Sequence, residues 1–325
     1  MQRCSWLRPP SSLTGATLRN VESYKPDKKV ARKSSRGFLD FLKPKKKSQD
    51  FSIKNDPKVV IRGLIYAATT AVLLFLILFS AYKIIRWQAE SDLTNETIAK
   101  LQDETNIVTI NEDERSNSLS GDIELSQSDY RYLSYNLIDA DLSNLKATNA
   151  NTRGWIYVPG TNINYPFVQT NNNDFYLTHT FDGHWSDAGW VFLDYRNTAT
   201  LSDRNQIIYA HGRVDGSMFG SLQNVLDEDW QNNLDNHVVK ITTEKNSSLW
   251  RVFSVYRIPK TNDYMTTIFN NDTDFSEFIN MIKSRSAYDF DTSVSTKDRI
   301  LTLSTCIGTN DRVVLHAKII KLVEK

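Results

Sequence analysis

The sequence predicts a mainly β domain, a closed or nearly closed eight-stranded barrel, preceded by a single membrane-spanning helix. Three observations carry this expectation. Eight short apolar runs with strand-like patterning follow residue 150, separated by turn-rich segments such as VPGTN and QTNNND. A 20-residue stretch without a charge, GLIYAATTAVLLFLILFSAY (63–82), precedes them. One helical pattern, DFSEFINMIKSRSAY (274–288), breaks the run of strands.

At roughly 1.5 Å per residue the uncharged stretch spans about 30 Å, the thickness of a bilayer's hydrocarbon core. It exceeds the apolar region of a cleaved signal peptide, about 7–15 residues, a very long segment precedes it, and no clear small-x-small cleavage site follows. Residues 63–85 are therefore expected to remain as an anchor. Residues 1–62 hold 16 Lys+Arg against 5 Asp+Glu, whereas 63–325 hold 23 against 33. Lys54, Lys58 and Arg62 lie just before the span, with KPKKK (43–47) further back. The positive-inside rule makes 1–62 a basic cytoplasmic tail and puts the remainder outside the cell. A basic run beside a span suits anionic lipid, so no nucleic-acid partner is expected.

Residues 86–124 read as a stalk and linker, helical to about Asn106 and poor in apolar residues over NEDERSNSLSGD (111–122). The exported domain is expected over 125–325. It opens with SQSDYRYLSYNLIDADLSNLKA, where Tyr130, Leu133, Leu137, Leu142 and Leu145 are spaced as a helix face would be. The eight strands follow as WIYV (155–158), INYPFV (163–168), GWVFLD (189–194), QIIYAH (206–211), HVVKIT (237–242), LWRVFSVYRI (249–258), RILTLST (299–305) and RVVLHAKIIKLV (312–323). In 274–288, Phe275, Phe278, Ile279 and Ile282 form the apolar face of a helix inserted between strands.

The chain has two cysteines, Cys4 and Cys306, which this topology puts on opposite sides of the membrane. The exported part then holds one thiol, where exported proteins usually pair their cysteines or lack them. Such a residue is an intermolecular bridge, a reactive thiol or a buried inert one. Side chains alternate along a strand, so Leu301, Leu303 and Thr305 face the core, while Ile300, Thr302, Ser304 and Cys306 face outward. On the next strand Val313, Leu315, Ala317 and Ile319 face inward, and Arg312, Val314, His316 and Lys318 outward. Cys306 and Arg312 thus stand at facing strand ends, joined by the five-residue IGTND loop. A reactive thiol needs an imidazole beside it. His211 ends a strand at a Gly-containing loop, and His316 lies within one; His179, His184 and His237 sit in or beside turns. Arg312 is a surface charge or a fixed cation aimed at an oxyanion. Asp215 and Asp311 are the acidic residues near these in sequence. There is no Gly-rich phosphate loop and no clustered metal-ligand spacing, so no metal or cofactor is expected.

TLSTC (302–306), with His211 ending an earlier strand and Arg312 opening the next, resembles the signature of sortases, membrane-anchored cysteine transpeptidases of Gram-positive bacteria. GWIYVPGTNINYPFVQTNNNDFYLTHTFDG (154–183), AGWVFLDYRN (188–197), IIYAHG and GSMFGSL within 207–222, and the inserted helix resemble class B members in particular. The similarity covers roughly 129–325. The short IGTND loop departs from members with more residues there. The resemblance implies a sortase-like barrel and a cysteine-peptidase-like enzyme. Cys306 would be nucleophile, His211 general acid and base, and Arg312 the oxyanion stabiliser. Asn173, Leu177 and Ser304 would line the substrate groove. Implied partners are surface proteins with a C-terminal LPXTG- or NPQTN-type sorting signal, and a peptidoglycan-precursor or pilin amine as acceptor. Two other readings fit the same residues: a Cys–His peptidase with water as acceptor, and a membrane-anchored, non-enzymatic binding domain.

Overall fold

The computed structural model describes residues 57–110, 123–306 and 311–325, with Cys306 by its backbone alone. The basic tail up to residue 56 with Cys4 and KPKKK, the 111–122 linker and residues 307–310 of the IGTND loop lie outside the described residues. The chain divides into two units, 1–67 and 68–325. In the first, the described residues 57–67 are helical.

Helix α1 runs from Pro57 to Glu104. Proline suits a first helical position, where its missing N–H would have no partner anyway. Large apolar side chains are exposed along the whole predicted anchor, Phe75 at 65 % and Leu78 at 69 %. This is the one helix among the described residues long and apolar enough to cross a membrane. The helix continues through the predicted stalk, and there it is no bare spacer. Ser91, Thr94 and Leu101 are buried, and Leu101 joins the main core of the second unit.

Ten strands follow among the described residues. A short antiparallel pair, β1 (Ile107–Ile110) and β2 (Leu137–Ala140), forms its own sheet and packs against the barrel through Leu137, beside Val238, Leu249 and Ile320. The barrel comprises β3 (Thr152–Tyr157), β4 (Asn164–Val168), β5 (Phe192–Leu193), β6 (Asn205–His211), β7 (Val238–Thr243), β8 (Asn246–Pro259), β9 (Ile300–Cys306) and β10 (Asp311–Glu324). Their order is β10-β8-β7-β3-β4-β5-β6-β9, and the ring closes. Closure leaves no barrel edge to pair with another chain. All eight predicted strands are present. The third is only two residues long, because Gly189 (φ +61°) and the turn around it take up the front of GWVFLD.

Residues 126–147 do not form the single N-terminal helix that their spacing suggests. They divide into a 3₁₀ turn (Tyr130–Ser134), strand β2 and the start of the short helix α2 (Ser143–Thr148). The helix that packs N-terminal to the barrel within this unit is instead the second half of α1. Helix α3 (Glu228–Asn232) is a single turn, and α4 (Asp272–Ser284) is the inserted helix. Asn271 caps α4 by accepting from the Asp274 amide at 2.9 Å, and Asp272 and Asp274 favour the positive end of its dipole. Its buried face, Phe275, Phe278, Ile279 and Ile282, packs with Phe253, Tyr256, Tyr264, Ile300 and Val314 on the outside of the barrel.

This inserted layer changes the environment of β9. Leu301 and Leu303 face the core, as alternation predicts. The opposite face is polar but does not meet water, since Thr302 and Ser304 are fully buried.

Candidate active site

Two pairings gather the candidate residues. Strands β6 and β9 are parallel, so their C-terminal ends lie at the same end of the barrel, and His211 pairs in register with Cys306. Strand β10 runs antiparallel to β9, so its first residues reach that same end. The register pairs Val314 with Ser304. One residue on, the Val313 amide donates to Thr305 Oγ1 at 2.9 Å, and Arg312 follows at the start of β10. A histidine ending one strand, a cysteine ending the next and an arginine opening the third thus gather at one end of the barrel.

The His211 ring is half-buried, with Nε2 2.7 Å from the Leu177 carbonyl oxygen. A carbonyl only accepts, so Nε2 is the ring nitrogen that donates to it. Gly189 stays close to the ring because it has no side chain; a Cβ there would lie 3.0 Å from His211 Cδ2 and 2.5 Å from the Tyr176 carbonyl. The imidazole therefore has a backbone acceptor. Of the two carboxylates near it in sequence, Asp215 is engaged by Arg213, Ser217 and Ser91, and Asp311 is exposed.

Arg312 Nη1 donates to the Tyr264 hydroxyl at 3.3 Å and lies 3.9 Å from Met265 Sδ. Its Nε is buried without an acceptor among the described residues. A buried donor left unmatched is costly unless a ligand completes it. Ser304 does not line an open groove. Its hydroxyl is buried, 2.9 Å from the Tyr264 hydroxyl, and so sits one residue behind Arg312. Sequence reading missed Tyr264, since a tyrosine in a loop carries no local signal of this role.

Asn173 and Leu177 lie on the long connection between β4 and β5, and both are half-buried. Asn173 donates to Asp194 Oδ2 at 3.0 Å and accepts from the Tyr195 amide at 3.0 Å. Asp194 is fully buried and also accepts from Tyr209 and Arg196. Burial raises its carboxyl, but the Arg196 guanidinium and these donors outweigh that and hold it below the usual carboxylate range. Arg196 goes on to the Met265 carbonyl at 2.9 Å. One carboxylate thus braces the Asn173 segment, strand β6 and the loop that carries Tyr264.

His316, the other histidine weighed for the site, is wholly enclosed. Its Nε2 is 2.8 Å from the Tyr256 hydroxyl and its Nδ1 2.9 Å from Thr302 Oγ1. His237 is buried against Gln231 and Tyr132, His179 stacks on Phe175, and His184 pairs with Asp182.

A family model for the sortase domain matches residues 156–320. Sortase B of Listeria monocytogenes serovar 1/2a is 32 % identical over 273 residues, covering 80 % of this chain and 98 % of that protein. Among solved structures, sortase B from B. anthracis in complex with AAEK1 aligns with a TM-score of 0.52 at 38 % identity, covering 55 % of this chain and 84 % of that one. The Staphylococcus aureus sortase B–substrate complex aligns with a TM-score of 0.52 at 33 % identity, again covering 55 % and 84 %. With the barrel order and the His211–Cys306 pairing already in place, these matches make the chain a member of the sortase family of cysteine transpeptidases, and within it of class B.

Proposed function

We propose that this transpeptidase cleaves an LPXTG- or NPQTN-type sorting signal after its threonine and passes the surface protein to an amine. The Cys306 sulfur bonds to the threonine carbonyl carbon. Arg312 stabilises the oxyanion that forms. The C–N bond to the next residue then breaks, and His211 gives its proton to the leaving amine. The thioacyl-enzyme is opened by an acceptor amine, which returns a proton to His211 and releases the thiolate. The acceptor is a cell-wall precursor or a pilin lysine. Asn173 and Leu177 belong to the groove wall on the His211 side, and Ser304 supports the Arg312 side through Tyr264. The N-terminus is cytoplasmic and the catalytic domain extracellular.

The observation that supports this reading is the pairing of His211 with Cys306, with Arg312 opening the neighbouring strand at the same end of the barrel. A relative solved with a substrate and another solved with triglycine support a peptide donor and an amine acceptor.

The test is intact mass spectrometry of the full chain in detergent with LPXTG- and NPQTN-type peptides, with and without triglycine. A thioacyl adduct on Cys306 is expected, resolved by triglycine into a ligated peptide. Cys306→Ala should fold and form neither product, and residual ligation in that variant would sink the assignment. Hydrolysis unaffected by the amine would favour a peptidase. No adduct, with Cys306 inert to alkylation, would favour an anchored binding domain.

A further inference from the structure

His211 closes β6, and the chain turns back at once. Gly212 bridges Met218, and the Phe219 amide donates to the His211 carbonyl at 2.9 Å. The turn between them is built around one carboxylate. Asp215 Oδ1 accepts from the Ser217 amide at 3.0 Å and the Ser217 hydroxyl at 2.6 Å, and Oδ2 accepts from Arg213 Nη2 at 2.9 Å. The side chains of Arg213 and Asp215 are only 8 % and 13 % exposed. Burial alone would raise the Asp215 carboxyl; Arg213, Ser217 and Ser91 outweigh it and hold the group well below the usual carboxylate range.

The third member of that set comes from far away in the sequence. Ser91 lies on α1, 6 % exposed. Its hydroxyl donates to Asp215 Oδ2 at 2.7 Å and accepts from Arg213 Nη2 at 2.6 Å. One hydroxyl thus uses its donor and an acceptor lone pair on the two halves of a nearly buried ion pair. The same helix touches the segment on the other side of His211. The Arg86 guanidinium lies 5.3 Å from the Trp185 ring and 3.9 Å from the Asp187 carboxylate. Asp187 is two residues before Gly189, the residue closest against the His211 ring. Further along, Gln102 Nε2 donates to the Asn164 carbonyl at 2.8 Å, and Leu101 enters the core. Residues 86–102 therefore hold both segments that flank the imidazole.

We propose that Ser91, with the Arg213–Asp215 pair it completes, is a positioning residue for His211, so that efficient transpeptidation requires the docked α1 helix and not the barrel alone. The inference rests on reading His211 as the general acid and base. Removing the Ser91 hydroxyl leaves a largely enclosed pair short of one donor and one acceptor, which favours a shift of the turn. A reacting group displaced by about 1 Å loses up to about 10²-fold in rate.

The test uses the full chain in detergent, an NPQTN- or LPXTG-type peptide with triglycine, and iodoacetamide as a probe of Cys306 that needs no peptide. Ser91→Ala should lower kcat about tenfold, leave KM nearly unchanged and displace the pH profile of Cys306 alkylation. Ser91→Thr, which keeps the hydroxyl, should restore both. Should Ser91→Ala fold poorly, Asp215→Asn, of nearly equal shape, must show the same displaced profile. A lower melting temperature with unchanged pH profile and unchanged kcat per folded molecule would make Ser91 merely structural and overturn the proposal, as would wild-type behaviour of Ser91→Ala in every readout. His211→Ala separates the two readings. If it keeps wild-type kcat, the role of His211 fails and the proposal with it; if it is inactive while Ser91→Ala is normal, the proposal alone fails.

Discussion

Arg312 and His316 lie four residues apart on β10, and their surroundings give them different chemistry. Arg312 keeps a buried Nε without an acceptor among the described residues, and its Nη1 leans on Tyr264. In the proposed mechanism a guanidinium fork held in this way would present fixed donors to the developing oxyanion, and a lysine reproduces the charge without the fork. Arg312→Lys should therefore lose about 10²–10³-fold in kcat, with the fold intact by circular dichroism. His316 has both nitrogens matched, with Tyr256, Thr302 and the Phe253 and Tyr264 rings around it. Burial, aided by the nearby Arg285 charge, lowers its imidazole to about 3. The unfolded chain binds a proton there near pH 6.5 and the folded chain does not. Stability from this residue is thus full above about pH 6.5 and is lost as pH falls toward 3. The thermal midpoint of the full chain should begin to fall as pH drops below about 6.5, before ordinary carboxylates take up protons near pH 4. His316→Gln should start lower at pH 7 and fall less over that window; an equal slope would remove His316 as the cause.

At the scale of elements, α4 is an outer layer over the strand that ends in Cys306. Its Ile282 is fully buried, and the Ile282 carbonyl accepts from the Ser254 hydroxyl at 2.7 Å. Ile282→Ala should cost about 3 kcal/mol in denaturant unfolding, a loss below about 1 kcal/mol meaning that the layer collapses to refill the space. This helix was legible because its apolar residues Phe275, Phe278, Ile279 and Ile282 follow a 3.6-residue period over about two turns. The strands were legible through period-two alternation, and the histidine and cysteine through their positions at strand ends. What the sequence hid was relational. Residues 126–147 carry helix-like spacing, yet β2 is drawn into pairing with β1, where Ile107 sits opposite Ala140. That pairing depends on a partner some 30 residues upstream, which no local pattern registers. The outer face of β9 reads as solvent-facing because Thr302 and Ser304 are polar; their burial follows from α4 and Tyr264 folding over them. The Leu177 carbonyl that orients His211 is a backbone group and leaves no mark on composition.

Across the whole molecule, charge asymmetry and the apolar stretch of α1 bear on one question, which side of a membrane the barrel occupies. Side chains such as Phe75 and Leu78 are too exposed, and too closely grouped, for a stable face in water. Lipid is the solvent that suits them, and with an excess of Lys and Arg before the span the positive-inside rule predicts a cytoplasmic N-terminus. The two cysteines report on this independently of activity, because they flank the span at positions 4 and 306. A membrane-impermeant maleimide added to intact protoplasts should label the wild-type chain at Cys306 alone. Cys306→Ala should remain unlabelled until detergent opens the membrane, and Cys4 should then react. Labelling of Cys4 in intact protoplasts would mean the opposite orientation. A catalytic domain facing the cytoplasm has no access to cell-wall amines, so that result would remove the proposed acceptor while leaving the fold and the family untouched.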